Sequence, residues 1–262
     1  MPSAETVSGF ALSPEILVLL FFAGLAAGFV DSIAGGGGLI TLPVLFSAGM
    51  PPQLALGTNK LQGSFGTFWA ACNFIHKKKV ALKETVTGVF FTLIGAGTGA
   101  WAVQSLDPAF IRRLVPILLV MVLIYTFFSK TLGYEEQTPR MGHKSFFVLF
   151  GLGLGFYDGF FGPGTGSFWT VAMCILLGYN MTRSAGCTRI MNFTSNAVAL
   201  AVFLFRGNVL WIPGLCMAAG QMIGAQIGSD MAIKKGAGFI RPVFMTVVAL
   251  TIARLIYLNY AF

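Results

Sequence analysis

One stretch constrains the fold of this chain more than any other: Gly28-Phe29-Val30-Asp31-Ser32-Ile33-Ala34-Gly35-Gly36-Gly37-Gly38. It closes an apolar run that opens near Pro14, and it sets a carboxylate and four consecutive glycines at the end of a segment long enough to cross a bilayer. Lipid offers a broken backbone no hydrogen bonds, so such a break survives only where protein or a wet cavity covers it. The stretch also recurs, as Gly155-Phe156-Tyr157-Asp158-Gly159-Phe160-Phe161-Gly162-Pro163-Gly164-Thr165-Gly166. A membrane chain interrupted at corresponding places in two halves points to a binding site built from the interruptions.

The rest of the composition agrees with a membrane setting. Of the 262 residues 56% are hydrophobic and only 10% charged, far more apolar than a soluble domain, and the reading is an all-α polytopic membrane protein. No Lys or Arg precedes the first apolar run, which is read as a spanning helix opened by Pro14 rather than a cleaved signal peptide. The formal charge of +8 sits in short loops, where it orients spans instead of marking a nucleic-acid partner. Cys72, Cys174, Cys187 and Cys216 all fall in apolar segments without a Cys-x-x-Cys pair, and they are read as buried packing thiols.

Apolar runs predict spans at Pro14–Ile33, Gln53–Ile75, Thr85–Gln104 and Leu114–Ser129, with a short run, Leu39–Ala48, after the glycines. A polar linker follows, and the order then repeats: Ser145–Phe161, the short run Ser167–Leu177, Thr182–Phe205, Val209–Ile227 and Phe239–Leu258. The expected organisation is therefore a first transmembrane repeat over 1–129, a cytoplasmic linker over 130–144 and a second repeat over 145–262. Beyond the break, adding 129 to a first-half number carries Gly57 to Gly186, Lys60 to Arg189, Val80 to Val209, Gly95-Ala96 to Gly224-Ala225 and Phe110-Ile111-Arg112 to Phe239-Ile240-Arg241. Before the break the offset is 127. One offset held across several segments marks an internal repeat.

Charge decides how the copies are oriented. If each short run merely completes its first span, the copies are parallel, and the basic loop residues divide as eight (Lys77, Lys78, Lys79, Lys83, Lys130, Arg140, Lys144, Arg206) against six. If the short run returns to its starting side, the copies are inverted. Eleven (Lys77, Lys78, Lys79, Lys83, Lys130, Arg140, Lys144, Arg183, Lys234, Lys235, Arg241) then share one side against Arg112, Arg113 and Arg206. The positive-inside rule selects the inverted arrangement, with both termini outside the cytoplasm. Gly24-x-x-x-Gly28, Gly95-x-x-x-Gly99 and Gly224-x-x-x-Gly228 are read as small-residue faces for close helix packing, and Trp69, Trp101, Trp169 and Trp211 as packing or interface anchors.

Four ionisable residues fall inside spans at matching places: Asp31 with Asp158, and Lys60 with Arg189. A charge at the bilayer centre costs at least ~2.5 to 3.5 kcal/mol on insertion scales, so four of them call for mutual pairing or a function. In a purely structural reading they are ion pairs that staple the protein, with Lys60 neutralising Asp31. Their neighbours argue for more. Asn59 and Gln62 flank Lys60, and Asn192 and Asn196 follow Arg189. Helix starts near Leu39 and Ser167, left uncapped and accessible by Gly36, Gly37 and Gly164, would favour negative charge through dipole and free N–H groups. Two helix starts, two cations and several amides describe a site for a small anion, with Asp31 and Asp158 available to pair with the cations in its absence or to take up a proton. No cofactor motif, phosphate loop or metal-binding His-Glu-x-x-His is present.

The string from Gly28 to Gly38, followed by Ala55-Leu56-Gly57-Thr58-Asn59-Lys60-Leu61-Gln62, resembles the TauE/SafE family of membrane permeases, in particular its YfcA-like branch. Gly155-Phe156-Tyr157-Asp158-Gly159-Phe160-Phe161-Gly162-Pro163 and Asn192-Phe193-Thr194-Ser195-Asn196 carry the resemblance into the second half. It implies a bacterial inner-membrane transporter that exports sulfite or related organosulfur anions. Arg189 departs from the lysine often found at the family's second basic position, and its forked guanidinium binds oxyanions in a geometry that lysine does not offer. An anion channel could use the same site with weaker binding. An intramembrane aspartyl protease would need a Gly-x-Gly-Asp pattern, whereas here the glycine stands three residues before each aspartate. The chain is not read as an enzyme.

Overall fold

A computed structural model describes residues 13–111 and 135–236, with positions 238, 239, 242 and 246. The expected span Leu114–Ser129, nearly all of Phe239–Leu258, and Arg112, Arg113, Lys130, Arg241 and Arg254 lie outside the described residues. Among the described residues the secondary structure is helical: α1 (Pro14–Ala34), α2 (Gly37–Ser47), α3 (Pro52–His76), α4 (Leu82–Gln104), α5 (His143–Phe160), α6 (Thr165–Ala172), α7 (Met181–Phe205) and α8 (Trp211–Lys235). A π-helical turn, Met173–Leu177, extends α6. Its end is satisfied by the linker, whose Arg140 and Met141 N–H groups donate to the Leu176 carbonyl at 2.8 and 3.0 Å while Gln137 donates to Gly178 at 2.7 Å.

The offset read from sequence appears in the helix bounds. Adding 129 to the limits of α3, 52 and 76, gives 181 and 205, the limits of α7. Packing follows the same exchange: α1 lies against α8 as α4 lies against α5, α3 meets α7, and α3 touches α8 as α7 touches α4. The pairs α1–α8 and α4–α5 are close because their glycines face backbone. A Cβ on Gly28 would stand 2.2 Å from the Gln221 carbonyl oxygen, and one on Gly99 2.1 Å from that of Phe156, as the small-residue reading required. The short helices rest on separate apolar clusters, α2 over Leu54, Leu61, Phe161 and Phe203, α6 over Phe146, Phe147, Met173 and Met191.

Three described helices, α1, α4 and α7, are long and apolar enough by themselves to cross a membrane. The sequence of α3 is more polar because Asn59, Lys60, Gln62, Ser64, Thr67 and Asn73 are turned inward and buried. Helix α8 runs past the expected end at Ile227, since Gly228-Ser229-Asp230 continues the helix while Asn73 donates to Ser229 Oγ at 2.6 Å and to Asp230 Oδ1 at 3.0 Å. At the same end Arg183 bridges Glu84 at 2.7 Å and Glu136 at 3.1 Å, tying the starts of α4 and α7 to the linker. At the opposite end Asn208 donates to Gln104 Oε1 at 3.1 Å. Trp169 is fully buried while Trp69, Trp101 and Trp211 face outward. The cysteines are free, but only Cys174 and Cys187 are buried; Cys72 lies on the outer face of α3 and Cys216 is half-buried, which corrects the expectation of four packing thiols.

Candidate functional site

The four intramembrane charges are all paired, and the pairing is crossed between the halves. Lys60, 1% exposed, donates from Nζ to Asp158 Oδ1 at 2.7 Å and to the Asp158 carbonyl. Arg189, 0% exposed, sets Nη1 3.1 Å from Asp31 Oδ2, donates to the Asp31 carbonyl and donates through Nε to Ala185 O at 3.3 Å. The expected partner of Lys60 within its own half is thus corrected: α3 crosses α7 beside the start of the other repeat's break, so each cation reaches the opposite aspartate.

One of the two helix starts differs from expectation. Gly35 ends α1 at φ +72°, a left-handed turn that glycine adopts without the steric cost of a Cβ, and this folds α2 back over Asp31. The N–H groups of Gly36 and Gly37 both donate to Asp31 Oδ1 at 3.1 Å. The start of α2, expected to be uncapped, is therefore capped from the preceding helix. Among the described residues no side chain caps the start of α6, where Gly164 turns at φ +81°. The two breaks touch: Ser167 Oγ donates to the carbonyls of Ala34, at 3.2 Å, and Gly35, and a Cβ on Gly35 would meet the Gly166 carbonyl carbon at 2.5 Å.

Between the breaks lies a polar cavity of about 30 Å³. Asp31, Gly36, Gly37, Asn59, Lys60, Gln62, Asp158, Gly164, Asn192 and Asn196 all line it. Arg189 does not; its guanidinium stands behind Gly166, where an added Cβ would be 2.9 Å from Nη2. Thr67 and Gln221, which the sequence reading passed over, also line the cavity. Gln221 was signalled only by its polarity within an apolar run, and its repeat partner at offset 129, Thr92, carries no amide to reinforce it. Ser195 belongs to the site as well, donating to Asp158 Oδ2.

The amides form an adaptable wall. Asn59 Oδ1 accepts from Thr41 Oγ1 at 2.5 Å and from Gln62 Nε2 at 2.8 Å, and the pair at offset 129, Thr170 and Thr188, is bonded likewise at 3.2 Å. Among the described residues Gln62 Oε1, Asn192 Oδ1, Gln221 Oε1 and Arg189 Nη2 are buried without a hydrogen-bond partner. Buried polar groups are nearly always satisfied, and a carboxamide can present either end by a half-turn. Among the described residues no three His, Cys, Asp or Glu side chains gather as metal ligands. The lining holds one ammonium, two carboxylates engaged by cations, and several amides; with Lys60 released and the amide N–H groups turned inward, it can surround a small anion.

A family model, "Sulfite exporter TauE/SafE", matches residues 20–255. A "Probable membrane transporter protein" of Haemophilus influenzae is 41% identical over 93% of this chain and 95% of its own length. The "Probable membrane transporter protein YfcA" of Escherichia coli is 41% identical over 95% of this chain and 92% of its own length, and YunE of Bacillus subtilis, of the same description, is 24% identical over 92% and 97%. No solved structure matches. The chain belongs to the TauE/SafE family, whose relatives here are named as membrane transporters, not enzymes.

Proposed function

We propose that this TauE/SafE member is a secondary transporter that exports a small anion, sulfite or an organosulfur compound, across the bacterial inner membrane. The anion binds near the bilayer midplane between two inverted repeats, 1–129 and 145–262, joined by a cytoplasmic linker. The observation that carries the reading is Lys60: a cation 1% exposed, on the wall of a cavity made by two broken helices and lined by Asn59, Gln62, Asn192, Asn196 and Gln221. Lys60 is the primary anion contact. Arg189 acts from behind, holding Asp31 and with it the start of α2.

The inverted arrangement draws support from which helix ends meet. Arg183 lies at the end that carries Glu84 and Glu136, and Asn73 near the end of α3 reaches Asp230 near the end of α8. Both contacts favour a common side for Arg183, Lys234, Lys235, Lys77 to Lys79 and the linker, the arrangement that the positive-inside rule prefers. Parallel copies would set Arg183 and Glu84 on opposite sides of the bilayer. Two inverted, interlocked halves around a central polar site suit alternating access.

A thermal-shift and calorimetric screen of the purified protein against sulfite, sulfate, sulfonates, thiosulfate and small carboxylates tests the reading. Stabilisation by at least one of these that is lost in Lys60→Gln is expected. Binding by none of them overturns the proposal.

A further inference from the structure

The two aspartates, equivalent in sequence, are held differently. Asp31 accepts two backbone N–H groups, of Gly36 and Gly37, and pairs with an arginine that is itself tied to two carbonyls. Backbone donors at a helix start cannot turn away from Oδ1, so a proton on Asp31 would have to sit on Oδ2, against the buried Arg189 guanidinium, and would leave that cation without its counter-charge. Among the described residues the Asp158 carboxylate has only side-chain partners. Lys60 is a flexible ammonium, and Ser195 Oγ is within 3.1 Å of both the Met191 and Asn192 carbonyls of its own helix. If Asp158 gains a proton, its O–H can donate to Ser195 Oγ while Ser195 donates to Met191 O, and no donor is stranded. Gly162, at φ +104°, leaves open the space beside the pair, since a Cβ there would stand 2.8 Å from Lys60 Nζ and 3.0 Å from Asp158 Oδ1.

We infer that Asp158, and not Asp31, carries one proton in company with the anion, while Asp31 and Arg189 stay ionised as a fixed rivet between the halves. This rests on the reading that the cavity binds a small anion. The arriving anion takes Lys60 Nζ from Asp158 Oδ1, and the released carboxylate takes a proton from water on the same side; both leave together on the other. The four ionised groups cancel when the site is empty, and they cancel again with a monoanion and one proton aboard. Either form of the carrier therefore crosses its cycle without moving net charge. The groups facing Asp158 are Lys60 from α3, Arg189 and Ser195 from α7, and Asp31 of α1 across the cavity. Tyr157 on its own helix is committed to the Pro163 carbonyl at 2.8 Å. Helices α2 and α6 carry no charged side chain, and the charges of α4, Lys83 and Glu84, lie in its first turn.

The test is calorimetric binding of methanesulfonate, a monoanion that stays ionised across the assay, to the purified full-length protein at a series of pH values and in two buffers of different ionisation heat. Wild type should take up one proton per anion, and its Kd should weaken tenfold per pH unit on the alkaline limb, the slope of a single linked proton. Asp158→Asn should bind with a pH-independent Kd at least as tight as wild type at its optimum, because Lys60 is already free, and the anion should raise its melting temperature more than that of wild type. A wild-type proton count of zero overturns the inference even if the variant fails to fold. So does a persisting pH slope in Asp158→Asn, or an absence of methanesulfonate binding. Sulfite and the other anions of the screen, run in parallel, separate the two levels: binding of any of them without proton uptake with methanesulfonate leaves the transporter reading standing, whereas binding of none removes both.

Discussion

Removing the Lys60 ammonium affects two quantities that the structure separates. In Lys60→Gln the Asp158 carboxylate, 3% exposed, loses its ion pair and keeps only Ser195. Stranding one partner of a buried pair costs about 3 to 5 kcal/mol. Anion binding should fall by one to two decades, the equivalent of a charge-assisted hydrogen bond worth roughly 1.5 to 3 kcal/mol. Adding Asp158→Asn removes the stranded charge, so the double variant should regain most of the lost stability while its anion binding stays weakened by one to two decades. Detergent melting temperature beside calorimetric titration with sulfite, on wild type, both singles and the double, gives a complete cycle. Recovery of binding together with stability in the double variant would refute the reasoning and leave Lys60 a staple. Equal rescue by Asp31→Asn would refute the crossed pairing.

Gly35→Ala should destabilise by at least about 2 kcal/mol, from a left-handed alanine and a Cβ set against the backbone of Gly166, whereas Gly36→Ala, extended and with its nearest neighbour the Leu39 Cδ1 at 3.4 Å, should change the melting temperature little. Arg183→Ala breaks two partly exposed pairs and should cost only about 1 kcal/mol, far less than the buried pair, by the same melting assay. Single cysteines at positions 78 and 234 in a cysteine-free background should label from the same, cytoplasmic side of sealed vesicles; opposite accessibility would sink the inverted topology.

Much of the helical frame was legible because two rules act on the chain at once, span length and internal repetition. The bounds of α3 and α7 coincide under the offset of 129 that Lys60 and Arg189 had already indicated. The site was legible to the extent that buried polarity is costly and so stands out: Asn59, Gln62, Asn192 and Asn196 all reached the cavity. Two features were not legible, for physical reasons. Which aspartate pairs with which cation depends on how α3 crosses α7, a tertiary matter on which spacing is silent. The capping of α2 depends on the turn at Gly35, which returns the chain to Asp31; a run of four glycines announces freedom but not direction. The separation of Arg189 from the cavity follows from the same crossing, which sets its guanidinium behind Gly166.

The central claim, that the chain carries a small anion by alternating exposure of the Lys60 site, is tested most directly by counterflow. Proteoliposomes preloaded with unlabelled sulfite and diluted into a trace of labelled sulfite should accumulate label transiently above its equilibrium level with wild type, and not with Lys60→Gln. Simple equilibration of the label without overshoot, or an overshoot undiminished in Lys60→Gln, would contradict the account.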